Sequence, residues 1–118
     1  MDLQMKLFDK EKEDLVTYKR DLSKNPFDMN DTISAMKLQL ANNKLQEKSD
    51  ENKVLPKDIE SNVRSIAKFA SELFLGQFTV DEAMRMDPKD STQLYMWHSR
   101  ALGTELDPSD DDGEEEKK

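Results

Sequence analysis

IESNVRSIAKFASELFLGQFTVDEAMRM, residues 59–86, is the stretch on whose reading the fold depends. Ile59, Val63, Ile66, Ala67, Phe69, Ala70, Leu73 and Phe74 recur at three- and four-residue intervals, which places them on one broad side of a helix. Asn62, Arg64, Ser65, Lys68, Ser71 and Glu72 take the other side. Gly76 stops the helix, because a residue without Cβ turns left-handed at little cost. The chain restarts at Thr79-Val80-Asp81-Glu82. There the Thr79 hydroxyl can accept from the Glu82 N–H while the Glu82 carboxylate takes the Thr79 N–H, a capping box. Two helices thus meet at Gln77-Phe78, with Phe78 at the corner. A lone amphipathic helix does not bury enough to offset the entropy of ordering it, so the other segments are expected to cover the stripe or to leave part of it for another protein.

Upstream, Leu3, Met5 and Leu7 alternate with Asp2, Gln4 and Lys6, the two-residue period of a half-buried strand. After the charged turn Asp9–Glu13, the segment Leu15-Val16-Thr17-Tyr18 is rich in β-branched and aromatic residues and can return as the second strand. A helix is the rival, since Phe8, Leu15, Tyr18 and Leu22 also lie near one helical face and the turn lacks glycine; the hairpin is favoured. Pro26 breaks the chain. A helix is then expected after Asn30 or Asp31 as cap, with Ile33, Met36, Leu40 and Leu45 as its apolar side. Residues 46–52 are polar and charged and read as a flexible loop, which Val54-Leu55-Pro56 ends.

Downstream, Asp87-Pro88 closes the short helix. Ser91 can cap a last one, in which Leu94, Trp97, His98, Ala101 and Leu102 share a face and Gly103 marks the end. The expected fold class is mainly α (α+β). It is a small helical domain over residues 1–103, with a β-hairpin at 1–22, helices at 31–45, 57–75, 80–86 and 91–102, and a loop at 46–56. A disordered acidic tail is expected over 104–118, where Asp107 to Glu116 holds seven acidic residues and no basic one.

Composition narrows the function. The chain has 118 residues, 35% of them apolar and 37% charged, so one small domain forms and part of the chain lies outside its core. The absence of cysteine excludes disulfides and thiolate metal sites. No apolar run has the length of a membrane span, and the N-terminus has neither a basic start nor a long apolar segment, so a cytosolic protein is expected. A net charge of −8 disfavours nucleic acid as a partner.

Little in the chain points to catalysis. His98, the one histidine, sits beside Trp97 on a face expected to pack. Ser71 and Ser99 lack any visible base or oxyanion partner. Three glycines make no phosphate-cradling loop. The acidic run 110–116 lacks the alternating ligand spacing of a calcium loop. No enzyme activity, cofactor or metal is expected. Met84, Met86 and Met96 cluster in sequence with Phe78 and Trp97, and flexible thioethers beside aromatics suit a surface that accepts a partner helix. Core filling is the competing role for these methionines.

The segment Phe69-Ala70-Ser71-Glu72-Leu73-Phe74-Leu75-Gly76-Gln77-Phe78-Thr79-Val80-Asp81-Glu82 resembles the "F…LF.GQFT.DE" stretch of tail assembly chaperones from long-tailed bacteriophages. The order of the rest is similar: a short N-terminal hairpin, a helix with a pattern like Ala35-Met36-Lys37-Leu38-Gln39, then a charged loop. The long charged segment at 46–53 and the Trp97-His98 pair depart from the commoner pattern. The resemblance implies a small non-enzymatic domain in the host cytoplasm. Such a protein binds the long helical tape measure protein, keeps it soluble, helps recruit the tail tube protein, and leaves before the virion is complete. It also implies a longer product made by ribosomal frameshifting, for which an adenine-rich run encoding Lys117-Lys118 is suited. Self-association through the apolar stripe is compatible with this role. The reading from a different class is a small acidic phage-encoded inhibitor that occupies a basic channel of a host or viral enzyme.

Overall fold

The computed structural model describes residues 2–103. An antiparallel hairpin, β1 (Asp2–Asp9) and β2 (Asp14–Asp21), opens the chain, with Asp2 opposite Asp21 and Asp9 opposite Asp14. Four helices follow: α1 (Met29–Asp50), α2 (Pro56–Leu73), α3 (Val80–Ala83) and α4 (Asp90–Ala101). The fold is a small α+β domain, and the hairpin stands against its helical rival. The turn manages without glycine because Asp9 Oδ1 accepts from the Glu11 and Lys12 N–H groups and Glu13 takes φ 53°. Leu3, Met5 and Leu7 all face the core.

Helix α1 differs from the expected 31–45 at both ends. Asp28 is its N-cap, accepting from the Asn30 and Asp31 N–H groups, while Asp31 reaches back to the Asp28 N–H. At the far end the helix runs on through Asp50, so residues 46–50, expected to be loop, are helical. Gln46 Nε2 donates to Asp50 Oδ1 at 3.0 Å and Lys48 Nζ binds Asp58 Oδ1 at 2.8 Å, which ties this turn to the start of α2. The stop comes at Asn52, left-handed at φ 57°, where the Lys53 N–H meets the Lys48 carbonyl and the Asn52 N–H meets that of Ser49. Polar composition marks exposure here, not the absence of helix.

Helix α2 starts with Pro56 in its first turn, and the Asp58 carboxylate takes the Leu55 N–H at 2.9 Å. It ends at Leu73, short of the expected 75. The Gly76 N–H returns to the Ser71 carbonyl (2.9 Å) and the Leu75 N–H to that of Glu72 (3.0 Å). Leu75 at φ 60° therefore holds the left-handed position before Gly76, itself at φ 75°. The Thr79–Glu82 capping box forms as read, at 3.1 and 2.8 Å. Helix α3 is shorter than the expected 80–86, because Met86 leaves it to make an isolated antiparallel bridge with Leu7 on β1. Helix α4 begins at Asp90, and Ser91 is not its cap: Ser91 Oγ donates to the Pro88 carbonyl instead. The expectation for residues 104–118 lies outside the described residues.

The core joins Leu3, Met5 and Leu7 to Phe69, Leu73, Phe74, Phe78, Leu94 and Trp97. Through it runs one buried ion pair. Arg20, 3% exposed, donates from Nη1 and Nη2 to the two carboxylate oxygens of Asp31 at 2.7 and 2.9 Å. Its remaining donors reach the carbonyls of Asn25 (2.9 Å), Pro26 (2.9 Å) and Leu73 (2.8 Å). Every guanidinium donor is thus satisfied, and one side chain ties β2, the β2–α1 connection, α1 and the end of α2. Burial pushes the Asp31 carboxyl upward. Hydrogen bonds from Arg20 and Asp28, with the Arg20 charge, outweigh burial and hold it below its ordinary value.

Arg20→Met is expected to cost about 3–5 kcal/mol in denaturant unfolding, because it strands a buried carboxylate, and Arg20→Met with Asp31→Leu is expected to recover at least half. Since the folded pKa of Asp31 is lowered, its contribution is present above the unfolded value of about 3.9 and is lost as pH falls through the folded one. Acid titration of stability should show that loss in the native chain and not in the double variant.

Candidate partner-binding surface

The five residues singled out by sequence separate in the structure. Phe78 and Trp97 are 2% and 6% exposed. Phe78 packs against Tyr18 (ring centroids 4.9 Å apart) and Phe74 (5.5 Å), while Trp97 meets Phe74 edge-on at 5.8 Å. Both are core residues, so neither presents a surface to a partner in this state. The corner that holds Phe78 is fastened by Ser71 Oγ donating to the Phe78 carbonyl (2.6 Å) and by Gln77 Nε2 donating to the Lys19 carbonyl (2.7 Å). Met86 is half-buried against the core. Met84 and Met96, 37% and 64% exposed, remain accessible.

His98 is also structural. Its Nε2 lies 2.8 Å from the Ala35 carbonyl and therefore donates to it, and its ring packs edge-on against Phe69 at 5.4 Å. Thr32 Oγ1 donates to the Ala101 carbonyl at 2.7 Å, so two hydrogen bonds fix α4 across α1. Among the described residues, no group of acidic or histidine side chains is arranged to hold a metal ion, and no helix is long and apolar enough to cross a membrane.

The larger apolar surface lies on the α1–α2 hairpin, much of it on residues expected to be covered. On α1 the inward side is Asp31, Ala35 and Leu38, with Ala41, Asn42 and Leu45 half-buried. Ile33, Met36 and Leu40 instead point away from the core and, with Met29, are 50–72% exposed. Both sets repeat with helical spacing, so α1 carries apolar residues on two opposite sides. The inner side has the weaker sequence signature because its leading member is an aspartate and two others are alanines. Small alanines allow the close approach of α2 and α4, and Asp31 is committed to that side by Arg20.

On α2 the stripe of residues 59–74 is buried only along its C-terminal half. Ile59 and Val63 are 52% and 42% exposed, and Leu55 continues the line past the helix start. The two helices are held side by side there by polar contacts, Asn62 Nδ2 to Asn42 Oδ1 at 2.8 Å and the Lys48–Asp58 pair. Their apolar residues are left free to face outward. Between the helices runs an open groove of about 420 Å³, bordered by Lys37, Leu40, Lys44 and Lys48 on one side and Ser61, Asn62 and Ser65 on the other. What the exposed apolar rows can do chemically is exclude water from another apolar side chain.

Comparison with protein-family models, with curated proteins and with solved structures finds no match to this chain.

Phe78→Ala and Trp97→Ala are each expected to destabilise the domain by about 3–5 kcal/mol, whereas Met96→Ala should change stability by less than about 0.5 kcal/mol. Urea unfolding followed by Trp97 fluorescence measures Phe78→Ala and Met96→Ala, and circular dichroism measures Trp97→Ala.

Proposed function

We propose that this chain works by contact, holding helical segments of another protein against the exposed apolar residues of its α1–α2 hairpin. The observation that carries this is alignment. Single exposed apolar side chains are ordinary on any protein. Here Met29, Ile33, Met36 and Leu40 line up along α1, and Leu55, Ile59 and Val63 line up along α2. Helix-in-groove recognition uses anchors spaced in this way. The net charge of −8 would keep a complex with an aggregation-prone helical client dispersed.

The specific role we propose is that of a phage tail assembly chaperone, on the strength of the Phe69–Glu82 resemblance and the hairpin-then-helices order that accompanies it. In that role the client is the tape measure protein, the tail tube protein is recruited alongside, and the chain acts in the host cytoplasm without entering the finished particle. Met84 and Met96 are accessible to a client as well, whereas Phe78, Met86 and Trp97 serve the core.

Co-expression with a long, helix-rich tail protein is expected to raise that protein's soluble yield several-fold. Ile33→Asp combined with Ile59→Asp should remove the effect while leaving the thermal midpoint within a few degrees of the native one. An unchanged yield on co-expression would contradict the proposal.

A further inference from the structure

The outward residues of α1 have a spacing that ordinary surface exposure does not require. Met29, Ile33, Met36 and Leu40 are separated by four, three and four residues, the alternation of the apolar seam in a coiled coil. If Met29 and Met36 take the d positions and Ile33 and Leu40 the a positions, then Asn30, Lys37 and Lys44 fall on one flank (e). Thr32, Gln39 and Gln46 fall on the other (g). Lys37 and Lys44 are exposed, lie one heptad apart beside Leu40, and form no ion pair among the described residues. In a chain of net charge −8, the border of its best-aligned apolar seam is cationic on one side and uncharged on the other.

We infer that this seam docks one α-helix of a partner protein, a helix whose apolar residues repeat in heptads and whose flanking positions carry glutamate or aspartate opposite Lys37 and Lys44. The inference rests on the helix-binding reading above and narrows it to one face and one class of helix. Charge complementarity selects this occupant. A second copy of the chain suits the seam poorly. Antiparallel pairing of two α1 helices sets e against e, bringing Lys37 toward Lys44 of the second copy. Parallel pairing sets Lys37 and Lys44 against Thr32 and Gln39, with no charge gained. Two chains of −8 repel in either arrangement. Leu75 and Ile33 are the apolar members of a groove that Lys37, Asp28 and Glu72 also line, where the docked helix would cross the end of α2.

The test uses the full chain and two labelled synthetic amphipathic peptides of two heptads. They share one apolar seam and differ only in carrying glutamate or lysine at the flanking positions. By fluorescence anisotropy at low ionic strength, the glutamate peptide is expected to bind about five-fold tighter, with the advantage shrinking as salt rises. Lys37→Glu with Lys44→Glu should reverse the preference. Ile33→Asp with Leu40→Asp should abolish binding of both peptides while leaving the circular dichroism melt unchanged within a few degrees. Equal binding of the two peptides, a preference that survives the charge reversal, or undiminished binding to the Ile33→Asp/Leu40→Asp chain would overturn the inference. So would a concentration-dependent dimer that Ile33→Asp disperses, if neither peptide binds. Should the glutamate peptide bind while a co-expressed tail protein stays insoluble, the chaperone reading fails and the seam stands. If the seam variant solubilises the tail protein as well as the native chain does, the seam is wrong and the chaperone reading survives.

Discussion

The Arg20–Asp31 pair decides which side of α1 faces inward, and the rest of the molecule follows from that choice. Helix α1 has two helical-period rows, Asp31-Ala35-Leu38-Asn42-Leu45 and Met29-Ile33-Met36-Leu40, on opposite sides. On hydrophobicity alone the second row is the better core. Arg20 is buried on β2 among Asn25, Pro26 and Leu73 carbonyls, and these leave its charge uncompensated. A buried guanidinium needs a carboxylate at hydrogen-bond distance. Asp31 supplies it only if the first row turns in. Apolar side chains worth more as core are thereby placed in water.

Those features of the fold set by local chemistry were legible in the sequence. The hairpin announced itself by the alternation of Leu3, Met5 and Leu7, the α2–α3 corner by Gly76 and the Thr79–Glu82 box, and the α4 face by Leu94, Trp97 and Ala101. Features set by long-range pairing were not. Nothing near Asp31 in sequence shows that Arg20 will meet it, so in sequence Ile33, Met36 and Leu40 dominate the apparent helical phase. The polar run 46–50 reads as loop because solvated helix and loop have similar composition; the Lys48–Asp58 and Gln46–Asp50 pairs and the Asn52 stop make it helix. Phe78 and Trp97 illustrate the same limit. An aromatic beside methionines suits a core or a docking face equally, and only the contacts with Phe74 and Tyr18 assign both to the core.

The division of labour that results is physical. One end of the α1–α2 hairpin is locked into the domain by Arg20, by His98 on the Ala35 carbonyl and by Thr32 on that of Ala101. Toward the other end the helices are joined by the Asn62–Asn42 and Lys48–Asp58 pairs and by half-buried Ala41 and Leu45, while Leu40, Leu55, Ile59 and Val63 are exposed. The exposed rows lie on helices already formed, α1 with its Asp28 cap, so a partner helix would lose little affinity to ordering the surface. Residues that would stabilise the isolated domain by burial are thereby left exposed, and the proposed helix binding would give that exposure a use.

In the proposed role, α1 would present its outer row to a helical client while its inner row stays packed. Methyl-resolved NMR of the full chain, titrated with a helical segment of a tail protein, tests it most directly. The methyl signals of Met29, Ile33, Met36 and Leu40 are expected to shift together while those of Leu3, Leu38 and Leu73 hold their positions. Shifts confined to Leu3, Leu38 and Leu73, or a general collapse of the native spectrum with the outer row unaffected, would contradict it.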